Sequence, residues 1–155
     1  QAHYILGTIM LPFNKEEAIF HIKTAIKLNP YFARSHDKLG VVLFLEGKIG
    51  EAVPHFLQAV KLKPDFALAY DHLGSVFFAL GKYDEANLHY RLAIQLKPDL
   101  SPAHNNLGNS LYRQRKIEEA IPHFRRAIKL NPDNAQANKN LQKALHTLDE
   151  LEKPS

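Results

Sequence analysis

Apolar residues in this chain recur with a helical period, and the helical segments themselves recur every 34 residues. Take Gly40 as position 8 of a unit. Positions 4, 7, 8 and 11 then fall within an arc of about 100° on one helix. They hold His36, Leu39, Gly40 and Leu43, then Tyr70, Leu73, Gly74 and Phe77, then His104, Leu107, Gly108 and Leu111. A second face follows at positions 20, 24 and 27: Ala52, Phe56 and Ala59; Ala86, Tyr90 and Ala93; Ala120, Phe124 and Ala127. Small Gly and Ala set against large Leu and Phe predict two antiparallel helices per unit, approaching closely.

The punctuation follows the same interval. Pro30, Pro64, Pro98 and Pro132 close successive units, and Gly47 and Gly81 end first helices as left-handed caps. Acidic residues open the second helices (Glu16, Glu17, Glu51, Asp84, Glu85, Glu118, Glu119). Lysines gather at their ends (Lys27, Lys61, Lys63, Lys97, Lys129), as the helix dipole favours. Pro54 and Pro122 fall early in their helices, where a missing N–H costs little.

The motif His36-x2-Leu39-Gly40-x2-Leu43…Ala52-x3-Phe56…Pro64, repeated twice more in register, resembles the tetratricopeptide repeat signature. The resemblance implies an all-α fold, a right-handed α-solenoid of stacked antiparallel helix pairs with a C-terminal capping helix. The expected organisation is a single array over 1–152. It comprises an irregular unit (1–32), one residue short in its inter-helix turn, and repeats 33–66, 67–100 and 101–134. A capping helix (135–152) and a tail (153–155) complete it. In the capping helix Leu141, Leu145, Leu148 and Leu151 are expected inward, and Lys139, Asn140, Gln142 and Lys143 outward.

Composition narrows the chemistry. The 155 residues carry no cysteine, which removes disulfides, thiolate metal sites and a cysteine nucleophile. No apolar run reaches the ~18–20 residues of a transmembrane helix, so no membrane contact by this segment is expected. The start, Gln-Ala-His-Tyr, is not Met and has no basic-then-apolar leader. The expectation is a piece of a longer or processed protein, cytoplasmic by default. The net charge of +4 raises nucleic acid as a partner. Nearly half of the basic residues, however, recur at turns and helix ends, so nucleic acid is not expected.

Histidine is the remaining candidate for chemistry. His21, His55, His89 and His123 share position 23, and His3, His36 and His104 share position 4. Ligands of one zinc ion lie roughly 3–3.5 Å apart, whereas rungs one repeat apart are separated by at least a helix packing distance of ~8–10 Å. The ladder therefore reads as packing at the core edge, with no metal and no cofactor. No G-x-S-x-G, H-E-x-x-H or glycine-rich phosphate loop is present, so no enzyme is expected.

What remains is the face opposite the core, at positions 2, 5, 6, 9, 12 and 13. In this family the first helices line a concave groove. The candidate partner-binding residues are Asp37, Lys38, Val41 and Phe44, then Asp71, His72, Ser75 and Phe78. Asn105, Asn106, Asn109, Tyr112 and Arg113 follow, with Lys139, Asn140 and Lys143 on the closing helix. Amides suit an extended peptide backbone, cations suit a carboxylate, and the aromatic row Phe44, Phe78, Tyr112 suits apolar side chains.

Chaperone-tail clamps use Lys-x-x-x-Asn, and Asp37/Val41, Asp71/Ser75 and Asn105/Asn109 supply no such Lys. The asparagine ladder of O-linked N-acetylglucosamine transferases is similar at Asn106 and Asn140 but not at Lys38 and His72. The expected function is a scaffold for protein–protein interaction that binds a peptide or protein segment without catalysis. The alternatives are a substrate-recruiting module of a larger enzyme such as a glycosyltransferase, and a self-assembling scaffold. Self-association would run through an apolar N-terminal edge of Tyr4, Ile5, Met10 and Phe13.

Overall fold

In the computed structural model, which describes residues 1–153, there are nine helices and no strand among those residues. They are α1 (Ala2–Met10), α2 (Lys15–Leu28), α3 (Ala33–Leu45), α4 (Ile49–Leu62), α5 (Ala67–Ala79), α6 (Tyr83–Leu96), α7 (Ser101–Arg113), α8 (Ile117–Leu130) and α9 (Ala135–Glu152). Of the tail expected over 153–155, Pro154 and Ser155 lie outside the described residues. The chain divides into two compact units, Gln1–His72 and a second from Leu73 onward, so the division falls within α5.

In each unit the same small-against-large contact joins paired helices. A Cβ added to Gly40 would stand 2.8 Å from the Phe56 ring, and one added to Gly108 would stand 2.7 Å from the Phe124 ring. Gly74 meets Tyr90 in the same way, and Gly7 meets Ile22. Phe56, Tyr90 and Phe124 are almost completely buried, flanked by the fully buried alanines of positions 20 and 27.

The first helices are packed on two sides, not one. Ser35 and Val42 of α3 are buried, as are Ala103 and Ser110 of α7. These are positions 3 and 10, one helical face that meets the second helix of the preceding unit: α2 packs on α3, and α6 on α7. Ser110 Oγ donates to the Tyr83 carbonyl at 3.4 Å across the latter contact. The sequence did not mark this face because its residues are small or polar.

The first helices α3 and α7 end in the same backbone device. Lys48 N–H bonds the Leu43 carbonyl at 2.9 Å and Lys116 N–H bonds that of Leu111 at 3.0 Å, the six-to-one closure of a Schellman cap. This closure needs a positive φ at the residue before. Gly47 (74°) and Gly81 (72°) supply it freely, whereas Arg115 adopts 65° with a side chain. The short first turn ends differently. Asn14 accepts from Glu17 N–H at 3.1 Å and caps α2.

Two local expectations are corrected. Pro54 and Pro122 stand at the sixth residue of α4 and α8, one turn deeper than expected, on exposed positions where a helix tolerates a lost bond. In α9 the inward stripe is Ala137, Leu141, Ala144 and Leu148, with both alanines fully buried and Leu141 and Leu148 packed against the core. Leu145 and Leu151 are exposed, at 40% and 64%. A helix advances ~100° per residue, so Leu145 falls about 80° from Ala137 and outside the stripe, whereas Leu151 lies in the last turn of α9.

Candidate functional site

The candidate residues form one outward face per first helix in the sequence register, and the structure separates them into two kinds. Those at positions 5 and 6 bond to each other across neighbouring first helices. In the first unit His72 Nδ1 donates to Asp37 Oδ1 at 2.6 Å, joining α5 to α3. In the second unit Asn140 Nδ2 donates to Asn105 Oδ1 at 3.0 Å, joining α9 to α7. Each bond spans 35 residues, position 5 to position 6 of the next unit. Asp37 and Asp71 are therefore not outward: they are 6% and 4% exposed, and at Asp37 the following first helix, α5, covers position 5 through His72.

In the first unit, Lys38 and Val41 line a cavity of about 490 Å3 with Leu45, Leu11, Pro12 and Thr8. Its wall is mainly apolar, and Phe44 sits half-buried on the same helix. At the end of α3, Glu46 takes Lys15 Nζ at 2.8 Å and Lys48 Nζ at 3.0 Å. Those hydrogen bonds hold the Glu46 carboxyl below its usual range.

In the second unit, Asn109, Tyr112, Arg113, Lys139, Asn140 and Lys143 surround a polar cavity of about 300 Å3. Six of the candidates are thus brought together. Gln136, missed by the sequence reading, lines it too and donates to Asn140 Oδ1 at 2.8 Å. It occupies position 2 of α9, which the outward register already contains.

Tyr112 closes one side of this cavity. Thr147 Oγ donates to the Lys143 carbonyl at 3.0 Å, so the Tyr112 hydroxyl is the donor in its 2.9 Å bond to Thr147. Lys143 Nζ lies 5.3 Å above the Tyr112 ring, a cation–π contact. Among the described residues, Arg113, Lys139 and Lys143 form no ion pair. Ser75 accepts from Tyr90 OH at 3.4 Å, Phe78 packs edge-on against Tyr83, and Asn106 is half-buried. These three belong to helix packing more than to an open surface.

The histidines sort differently from the expected ladder. Within a repeat, position 4 meets position 23: His3 Nδ1 is 2.8 Å from His21 Nδ1, and His36 Nδ1 is 3.3 Å from His55 Nδ1. His104 and His123 stack with ring centroids 5.9 Å apart, and His89 stacks on Phe77 at 5.1 Å. Burial pushes His55, His89 and His123 below the usual histidine value, helped at His55 by His36 and Lys23 and at His123 by His104 and Arg91. Among the described residues no three histidine or carboxylate groups gather as a metal site. No helix among them is long and apolar enough to cross a membrane.

Two family models match this chain. A tetratricopeptide repeat model fits residues 101–134, and a TPR repeat model fits 42–81 and 74–115, together more than half of the sequence. The chain belongs to the tetratricopeptide repeat family. Such repeats generally mediate protein–protein interaction, and neither matching model describes a catalytic family.

Among similar solved structures is the first TPR of Spaghetti (RPAP3) bound to the HSP90 peptide SRMEEVD. It is 26% identical, with a TM-score of 0.72 over 76% of this chain and 93% of that one. The first TPR domain of human RPAP3 is 25% identical, with a TM-score of 0.75 over 79% of this chain and 96% of that one. PilF of Pseudomonas aeruginosa shares the fold at 24% identity, with a TM-score of 0.87 over 96% of this chain and 68% of that one. No curated protein matches the tetratricopeptide chain in sequence.

Proposed function

We propose that this chain is a peptide-binding scaffold whose second unit takes an extended acidic segment along α7 and α9. The observation that carries the reading is the polar cavity in which Arg113, Lys139 and Lys143 stand without a counter-carboxylate. Cations crowded on one wall repel each other, and an incoming carboxylate relieves that while gaining charge-assisted hydrogen bonds. Asn109 adds an amide able to give and accept bonds to a peptide backbone. The HSP90 peptide held by the similar RPAP3 structure, SRMEEVD, is rich in carboxylates, which agrees with this chemistry.

Selection from a displayed peptide library tests the proposal. The full chain is expected to enrich acidic sequences, and the Asn109→Ala/Arg113→Ala/Lys139→Ala variant to bind them about tenfold or more weakly with helicity unchanged. A charge-assisted hydrogen bond contributes ~1.5–3 kcal/mol, which sets that scale. Equal binding by the triple variant would sink the assignment.

The exposed side of α1 and of the turn after it favours a second reading. Ile5, Leu6, Ile9 and Phe13 are 45–83% exposed, whereas Tyr4 packs edge-on against Phe32 and Met10 is half-buried. Self-association through these four residues predicts a concentration-dependent dimer in sedimentation that Ile9→Lys abolishes. A monomer at all concentrations excludes it.

A further inference from the structure

The first unit contains two histidine–histidine contacts that no peptide-binding role uses. Their geometry decides what they hold. In the His3–His21 pair the ring centroids are 5.0 Å apart and the nitrogens 2.8 Å; in His36–His55 they are 5.6 Å and 3.3 Å. In both, the difference leaves about one ring radius on either side. The nitrogens therefore lie close to the line between the rings, the geometry of an N–H···N hydrogen bond. Two lone pairs converging on a metal would meet at an angle away from that line, and no third ligand stands by.

The tautomers of one pair follow. His36 Nε2 lies 3.0 Å from the Pro30 carbonyl, which can only accept, so His36 carries its proton on Nε2. Its Nδ1 is then a bare lone pair, and His55 must donate from Nδ1. A first added proton goes to His55 Nε2 and converts the bond to a stronger charge-assisted one. A second has only the His36 acceptor nitrogen left, where it would oppose the His55 N–H. His3 and His21 share one proton between their Nδ1 atoms by the same count.

We propose that each pair is a one-proton site joining the two helices of its repeat, so that α1–α2 and α3–α4 separate only when a second proton enters. The surroundings are known for both. Lys23 from α2 faces His55 and opposes charging, and Glu51 on α4 favours it. Among the described residues no ion pair forms with His3 or His21, whose neighbour is the Phe20 ring.

Long-range 1H–15N correlation of the histidine rings in the full chain, followed from pH 8 to pH 4.5, reads the proton count. His36 and His55 are expected to titrate together in two macroscopic steps about one pH unit or more apart. The second step should coincide with collapse of the α1–α4 amide dispersion. The His3→Tyr/His36→Tyr variant, which borrows Tyr70 from the same register position, should lose the second step. Independent single-step curves for His36 and His55, or double protonation with α1–α4 intact, would overturn the proposal. The wild-type titration alone gives either result, so the test does not depend on the variant folding.

Discussion

The two units use one packing rule and present two different surfaces. In both, a glycine at position 8 admits the ring at position 24, and a bond from position 5 to position 6 ties first helices together. Around these fixed contacts the first unit shows an apolar cavity with bonded histidine pairs. The second shows a polar cavity walled by unpaired cations, and its histidines stack. The lesson is that packing and surface are set by separate register positions, so a repeat can change what it offers without changing how it folds.

The strongest way to break that comparison is to remove the shared ring. Phe56→Ala and Phe124→Ala should each lower stability by about 3–5 kcal/mol, the usual cost of emptying a buried aromatic site. Urea unfolding of both variants checks it. Costs differing by more than twofold would show that the packing rule is not common to the units. Next in size, Gly40→Ala and Gly108→Ala force a methyl to within 3 Å of Phe56 and Phe124. Each should cost about 1–3 kcal/mol by overpacking, read as a lower denaturation midpoint with unchanged slope.

How much of this was legible in sequence depended on whether a contact lies within a repeat or between repeats. The Gly40–Phe56 and Gly108–Phe124 contacts follow from periodicity alone, since both residues belong to one helix pair. The Asp37–His72 and Asn105–Asn140 bonds do not. They need the knowledge that successive first helices lie side by side, offset by one residue, which placed four supposed ligand residues in structural bonds. The histidine pairs were missed for the opposite reason. The ladder at position 23 runs from repeat to repeat, whereas the partner at position 4 lies in the same repeat. In α9 the conspicuous leucines misled, because Ala137 and Ala144 set the buried stripe.

A smaller effect sharpens the comparison at the caps. Gly47 and Arg115 occupy equivalent left-handed positions, one in each unit. Gly47→Ala should destabilise by about 1 kcal/mol and Arg115→Gly should stabilise by a similar amount. Thermal unfolding at neutral pH resolves both signs.

The smallest effect is absent at neutral pH. His123 stacks without a ring hydrogen bond, and burial holds it below the ordinary 6.5. A lowered folded-state value means that its contribution is complete above 6.5 and declines as the pH falls toward that lowered value. His123→Phe should therefore match the wild type at pH 7.5 and surpass its relative stability at pH 5. Melting curves at the two pH values check this, and an unchanged difference would remove His123 from the acid response.

The double burial of the first helices has an evolutionary consequence. In α3 eight of the thirteen residues are buried, leaving Arg34, Lys38, Val41, Phe44 and Leu45. In α7 the same register leaves Pro102, Asn106, Asn109, Tyr112 and Arg113, with Asn105 beside them. Mutations at Lys38, Val41, Leu45, Pro102, Asn109 or Arg113 leave the hydrogen bonds between helices intact, so these are where drift can supply new specificities for selection, whereas Asn105 and Tyr112 are tied to α9. A descendant of this chain can exchange partners by substitutions confined to one narrow strip per repeat, while its ancestry stays readable in the residues beneath.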